Sequence, residues 1–294
     1  MKQFFKELWW YLRFIWYLFT TPATITNPEP EEPAESTEPD VYEYTEELED
    51  LWSDNEDTSS HREEEIHEIN ENEENMENNE MKKVVICLDN GHGDNTPGKC
   101  SPWSARKVPP ELPFREYAYC REIVSRLAKV LNEDGYPVYI VTPENTDIEL
   151  KERGKRINGV VAEAKTNGMH VISISIHNNA AGRGDAWKEA YGWSVWTTRG
   201  QNNSDKLAQC LFDTAKEVLT PLGQKTRHDV SDGDDDYEDN FAMCRMPNCP
   251  AVLTENMFQD CIKEVEFLLT EEGKNAIVEI HRRGILKFIE LMNW

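Results

Sequence analysis

The chain has little that would staple, span or repeat. Its cysteines are an odd seven, Cys87, Cys100, Cys120, Cys210, Cys244, Cys249 and Cys261, and none forms a C-x-x-C pair. That excludes a cysteine-based zinc knuckle and argues against a disulfide framework. Free thiols are expected, and with them folding in a reducing compartment. The longest apolar run, Leu8 to Phe19, is broken by Arg13. It falls short of the roughly 20 residues that a bilayer-spanning helix needs. No small-x-small cleavage site follows it, and no internal repeat is present. Acidic residues outnumber basic ones, 56 to 31, so a nucleic-acid partner is not expected, because phosphate binding needs a basic surface.

The charge that is present is uneven. Residues 21–80 hold 23 acidic side chains and one basic one, Arg62, and so carry −22 of the formal −25. This stretch is rich in Pro, Glu, Asn, Ser and Thr and is too apolar-poor to offset chain entropy, so it reads as a disordered acidic linker. As a coil it would reach roughly 40 Å, and further under its own repulsion. Before it, residues 1–20 place Lys2, Lys6 and Arg13 on one helical stripe, with aromatic and aliphatic residues elsewhere. That pattern suits a helix lying on a membrane surface, with Trp9, Trp10 and Trp16 at headgroup level. A secretory signal is the rival reading, and a helix packed on a protein a third.

From Met81 to Trp294 the text is globular. Strands are expected at Val84–Leu88, Val138–Thr142, Val171–Ile176, Trp193–Thr197, Phe241–Cys244 and Ala251–Thr254. Helices are expected at Glu116–Asn132, at Leu150–Asn167, from a Ser204 cap to about Leu219, and from Glu271 to about Leu291. This alternation predicts the α/β class: one open, mainly parallel sheet flanked by helices.

Chemistry-bearing residues stand just past the apolar runs. His92 follows the first strand, His177 the third, Glu255 ends the last, and Glu116 opens a helix. In open α/β sheets such positions converge beyond the carboxyl ends of the strands. Two imidazoles, a carboxylate and a water make a four-coordinate catalytic zinc site, and a carboxylate free of the metal, Glu255, suits the proton-transfer role. Each residue alone has a plainer explanation: a loop histidine, a core histidine, a solvated helix-start charge, a buried ion-pair partner. Their co-occurrence is what carries weight. The acidic loop Asp229–Asp239 lacks the ligand order of an EF-hand. It reads as a solvated loop, with weak calcium binding as the alternative.

Four motifs in order, GHG-x4-G at Gly91, Glu116 at its helix start, S-I-H-x-N at Ser175 and P-A-V-L-x-E-x-x-F at Pro250, resemble the zinc-dependent N-acetylmuramoyl-L-alanine amidases of the amidase-3 type. The resemblance runs from about Lys83 to Ile285. Lesser marks are Leu150, Arg153 and Asn158, Tyr191 to Val195, and Ser204 with Leu207 and Ala208. It implies a six-stranded sheet, one zinc on His92, Glu116 and His177, and Glu255 as the catalytic carboxylate. The implied reaction is hydrolysis of the amide between N-acetylmuramic acid and L-alanine of the peptidoglycan stem, by a phage-type lysin or a host wall-remodelling enzyme. It would work at the cell envelope, secreted, membrane-associated through residues 1–20, or made in the cytoplasm as a phage lysin. The alternatives are a zinc peptidase acting on another amide and an inactive, membrane-tethered wall-binding module. The sequence departs from the family at Asp94, at Met257 where a small residue is usual, and in the proline-rich loop Lys99–Pro113, whose Arg106 and Lys107 could shape the cleft.

Overall fold

Alternation in the segment VISISIHNN sets the middle of the fold. A strand sends successive side chains to opposite faces, so Ile172, Ile174 and Ile176 share one face while Ser173, Ser175 and His177 share the other. In the computed structural model, which describes residues 82–102 and 113–294, this segment is a strand over His170–Asn179, buried on both faces along most of its length. The expected helix at 1–20, the expected linker at 21–80, and Arg106 and Lys107 lie outside the described residues.

The elements follow in the order β1 (Val84–Asn90), α1 (Glu116–Glu133), β2 (Val138–Ile140), α2 (Leu150–Thr166), β3 (His170–Asn179), β4 (Ser194–Thr197), α3 (Asn203–Leu219), β5 (Tyr237–Glu238), α4 (Ala242–Arg245), β6 (Ala251–Phe258), α5 (Ile262–Leu268) and α6 (Glu271–Met292). The strands form one open sheet in the order β2-β1-β3-β6-β4-β5. Every neighbouring pair is parallel except β4 with β6. The class is the expected α/β one, and the sheet is mainly parallel as expected, with one antiparallel pair. Helices α1, α3 and α6 pack together on one face, and α2 with α4 on the other. The first face holds the isoleucines of β3 with Ile86, Leu88, Ile123, Leu127, Leu211, Ile277 and Phe288, all essentially without exposure.

Several expectations needed correction. Phe241–Cys244 was expected as a strand, but Ala242–Arg245 is a helical turn. A short apolar run does not distinguish the two, and both edges of β4 are already taken, by β6 and by β5. Ser204 does not cap α3. Asn202 does, in a reciprocal capping box with Asp205, while the Ser204 hydroxyl accepts from the Ala251 amide at 3.1 Å. Glu255 does not end its strand, because β6 runs on to Phe258. The seven cysteines are free thiols, as expected.

Candidate metal centre

The turn after β1 brings His92 to the sheet edge at a price in backbone freedom. His92 adopts a positive φ of 64°, a region that side chains other than glycine rarely occupy. Its neighbours are small for steric reasons. A Cβ on Gly91 would lie 2.4 Å from the His177 ring, and one on Gly93 would lie 2.0 Å from the Asp147 amide nitrogen. The turn is held from outside as well, since Arg121 donates to the His92 carbonyl at 3.1 Å.

Glu116 reaches the same edge from the start of α1, where its own amide donates to the Lys99 carbonyl at 3.1 Å. One oxygen, Oε1, meets both imidazoles: His177 Nδ1 at 3.0 Å and His92 Nε2 at 3.3 Å. The two rings stand edge to face with centroids 4.9 Å apart. One ligand atom from each of His92, Glu116 and His177 falls within a mutual 4.8 Å. The donor set is two nitrogens and one carboxylate oxygen, which suits zinc. Burial opposes the charge of Glu116, yet hydrogen bonds from His177 and then His92 outweigh it and hold the carboxyl well below the usual carboxylate range. For His177, burial pulls the other way but the Glu116 hydrogen bond and charge win, and its pKa rises.

The fourth expected residue stands beside the second. Glu255 on β6 is the register partner of His177 on β3. It is partly buried, and its Oε2 is enclosed without a hydrogen-bond partner. Burial pushes its carboxyl up to about 7, against the pull of His177 and with a further push from Glu116. A carboxyl at that value can both take and return a proton near neutrality.

An outer ring of polar residues fixes these groups, and sequence reasoning missed it. Gln259 Nε2 donates to Glu116 Oε2 at 2.8 Å, and the Asn178 amide to Oε1 at 3.1 Å. A bulge in β6 between Glu255 and Phe258, with Met257 at φ 68°, aims Asn256 at two neighbours. Its Nδ2 donates to the His177 carbonyl at 3.0 Å, and its Oδ1 accepts from Trp193 Nε1 at 2.7 Å. Asn178 and Asn256 lie inside the S-I-H-x-N and E-x-x-F segments and could have been flagged. Nothing in the sequence marks Gln259 or Arg121.

The N-acetylmuramoyl-L-alanine amidase family profile matches residues 86–287. An endolysin of Bacillus phage SPP1 is 26% identical over 213 residues, covering 72% of this chain and 68% of that protein. The N-acetylmuramoyl-L-alanine amidase AmiC of Neisseria meningitidis serogroup B is 24% identical over 233 residues, and the match spans 71% of this chain but only 53% of AmiC. The crystal structure of an N-acetylmuramoyl-L-alanine amidase from Clostridium difficile 630 superposes with a TM-score of 0.56 at 24% identity, over 71% of this chain and 98% of that one. That likeness bears on the fold. Among the described residues no helix is long and apolar enough to cross a membrane.

Proposed function

The chain belongs to the N-acetylmuramoyl-L-alanine amidase family, and on that premise we propose that it hydrolyses the amide between N-acetylmuramic acid and the L-alanine of the peptidoglycan stem peptide. The observation that carries this reading is the convergence of His92, Glu116 and His177 on one point, with Glu255 on the adjoining strand. His92, Glu116 and His177 would hold a single zinc ion. Zinc bound there supplies Lewis acidity that polarises the scissile carbonyl and acidifies a water. The protein's part is proton handling and alignment. The Glu255 carboxylate takes a proton from the attacking water and delivers it to the departing L-alanine nitrogen, a service typically worth about 10²–10⁴-fold in rate. Gln259, Asn178 and Asn256 keep the ligands from turning away.

Both a phage endolysin and a cellular amidase stand among the relatives, and either setting places the work at the cell wall. Residues 1–20, aromatic with Lys2, Lys6 and Arg13, would serve as a membrane-surface anchor, 21–80 as an acidic tether, and 81–294 as the catalytic domain. Glu116 is turned to the two histidines, which leaves Glu255 as the free carboxyl group for proton transfer, whereas a glycosidase uses two. Digestion of purified peptidoglycan should therefore release L-alanine amino ends and no new reducing sugar ends. Reducing ends without amino ends would reject the proposal. Replacing His177 with Ala should remove most of the zinc, and full zinc occupancy in that variant would reject the ligand assignment.

A further inference from the structure

The acidic loop is exposed or half-exposed along most of its length, as expected, but Asp236 turns inward. Asp236 is only 2% exposed and Asp205, at the start of α3, only 7%. With Asp234 they bring one carboxylate oxygen each to within 4.8 Å of one another. Three anions this close repel unless something positive sits among them. No ion pair from Lys or Arg reaches any of the three among the described residues, and in this loop His228 pairs instead with Asp235, at 2.8 Å.

The hydrogen bonding is incomplete in a way that points to a ligand. The buried Thr197 hydroxyl has one proton and three acceptors around it: Asp236 Oδ2 at 2.5 Å, Asp205 Oδ1 at 3.2 Å and the Thr198 carbonyl at 3.3 Å. It can satisfy one. Asp236 Oδ1 and Asp234 Oδ1 are enclosed and no other group donates to either, while burial and then the neighbouring Asp234 carboxyl push Asp236 up to about 7. Buried carboxylate oxygens left unpaired are costly, and here two of them occur on residues whose carboxylates already converge. Asp205 and Asp234 are otherwise anchored. Asp205 Oδ2 accepts from the Asn202 amide, and Asp234 Oδ2 accepts from Gln201 Nε2 at 2.9 Å.

We propose that Asp205, Asp234 and Asp236, with the Thr197 hydroxyl oxygen, form a binding site for one oxygen-preferring divalent cation, calcium, distinct from the zinc centre. The donor set is oxygen throughout, which suits a hard cation and not zinc. Calcium is favoured over magnesium because several protein carboxylates contribute, whereas magnesium usually keeps most of its waters. Opposed oxygens around calcium stand about 5 Å apart, twice the usual ligand distance, so one ion can touch all three carboxylates. The ion would enter by Asp234, which is partly exposed and lines an open cavity of about 370 Å³ with Gln201, Asn202, Asp205, Lys206 and Gln209. Its effect would be mechanical. It would pin the acidic loop and β5 to the end of β4 and the start of α3, stiffening β4, the strand that pairs with β6 and its Glu255.

The test uses the full chain, stripped of metals and reloaded with one equivalent of zinc. Calcium binding is measured by equilibrium dialysis and melting temperature with and without 1 mM calcium, for the parent, Asp236→Asn and Asp234→Asn. Diffuse binding by residues 21–80 is common to all three and cancels. The parent should hold one more calcium per chain than either variant, and calcium should raise its melting temperature by several degrees while leaving the variants within a degree. Without calcium, Asp236→Asn should melt at or above the parent, since it removes a crowded charge. Should that variant fail to fold, the partly exposed Asp234→Asn decides alone. Equal calcium stoichiometry and an equal thermal response in parent and variants would overturn the proposal. So would a parent indifferent to calcium, because the carboxyls would then be sharing a proton.

Discussion

At the scale of single residues, the active edge depends on atoms that are absent as much as on those present. Gly91 has no room for a methyl group beside the His177 ring. Gly91→Ala should thus displace that imidazole and weaken zinc retention by about ten- to hundredfold, the usual penalty for disturbing a ligand's support. Dialysis against a graded chelator series checks this, and retention equal to the parent would count against His177 as a ligand. Glu255→Gln should fold and keep its zinc but lose about 10²–10⁴-fold in rate, because an amide cannot accept the proton. Residual activity within tenfold of the parent would assign the base elsewhere. His92, His177 and Glu255 were legible because each follows an apolar run, where chemistry collects in such sheets. Gln259 was not, because its partner Glu116 lies 143 residues away and only the folded chain makes them neighbours.

At the scale of elements, α2 touches the site without reaching it. Arg153, 2% exposed, bonds Asp89 at 2.9 Å, the Asn90 carbonyl at 3.2 Å and Asp147 at 2.6 Å. It thereby locks the end of β1 to the loop that crowds Gly93. Arg153→Ala leaves the buried Asp89 without its ion-pair partner and held by the Ser175 hydroxyl at 2.6 Å, so it should cost about 3–5 kcal/mol. Urea denaturation measures the loss. Helix α6 contributes a titration. His281 lies fully buried between the Ile277 carbonyl, which accepts from Nδ1 at 2.7 Å, and the Thr254 hydroxyl, 2.9 Å from Nε2. Burial lowers its pKa to about 4, below the roughly 6.5 of an unfolded histidine. Between those values the unfolded chain binds a proton that the native one refuses, so stability falls as pH falls from about 6.5 to 4, by about 3 kcal/mol at most. His281→Gln should be less stable than the parent at pH 7, and the gap should narrow on acidification. Parallel declines would show that another group controls the acid limb. The long helices and the inner strands were readable from periodicity. The turn at Ala242–Arg245, the two-residue β5 and α5 were not, because elements that short are settled by which sheet edges remain open rather than by their own pattern.

At the scale of the whole molecule, the proposed anchor and the catalytic domain occupy different stretches of the chain. The full protein should sediment with lipid vesicles, more strongly with anionic ones, because Lys2, Lys6 and Arg13 would meet the headgroups at about 1 kcal/mol each. A chain starting at Met81 should stay in the supernatant and still cleave soluble peptidoglycan fragments. Equal partitioning of the two would remove the anchor. The orientation of the sheet carries a practical corollary for anyone re-equipping this enzyme. The candidate ligands stand at the carboxyl ends of β1 and β3, with His92 two residues past β1 and His177 among the last residues of β3, whereas the amino ends of those strands, paired at Val84 and His170, lie at the opposite pole. The last residue lies there too, since Trp294 stacks flat on the His170 ring with centroids 4.1 Å apart. A fluorescent reporter, an affinity handle or a targeting module fused after Trp294 would therefore join the domain of residues 82–294 at the pole opposite His92 and His177.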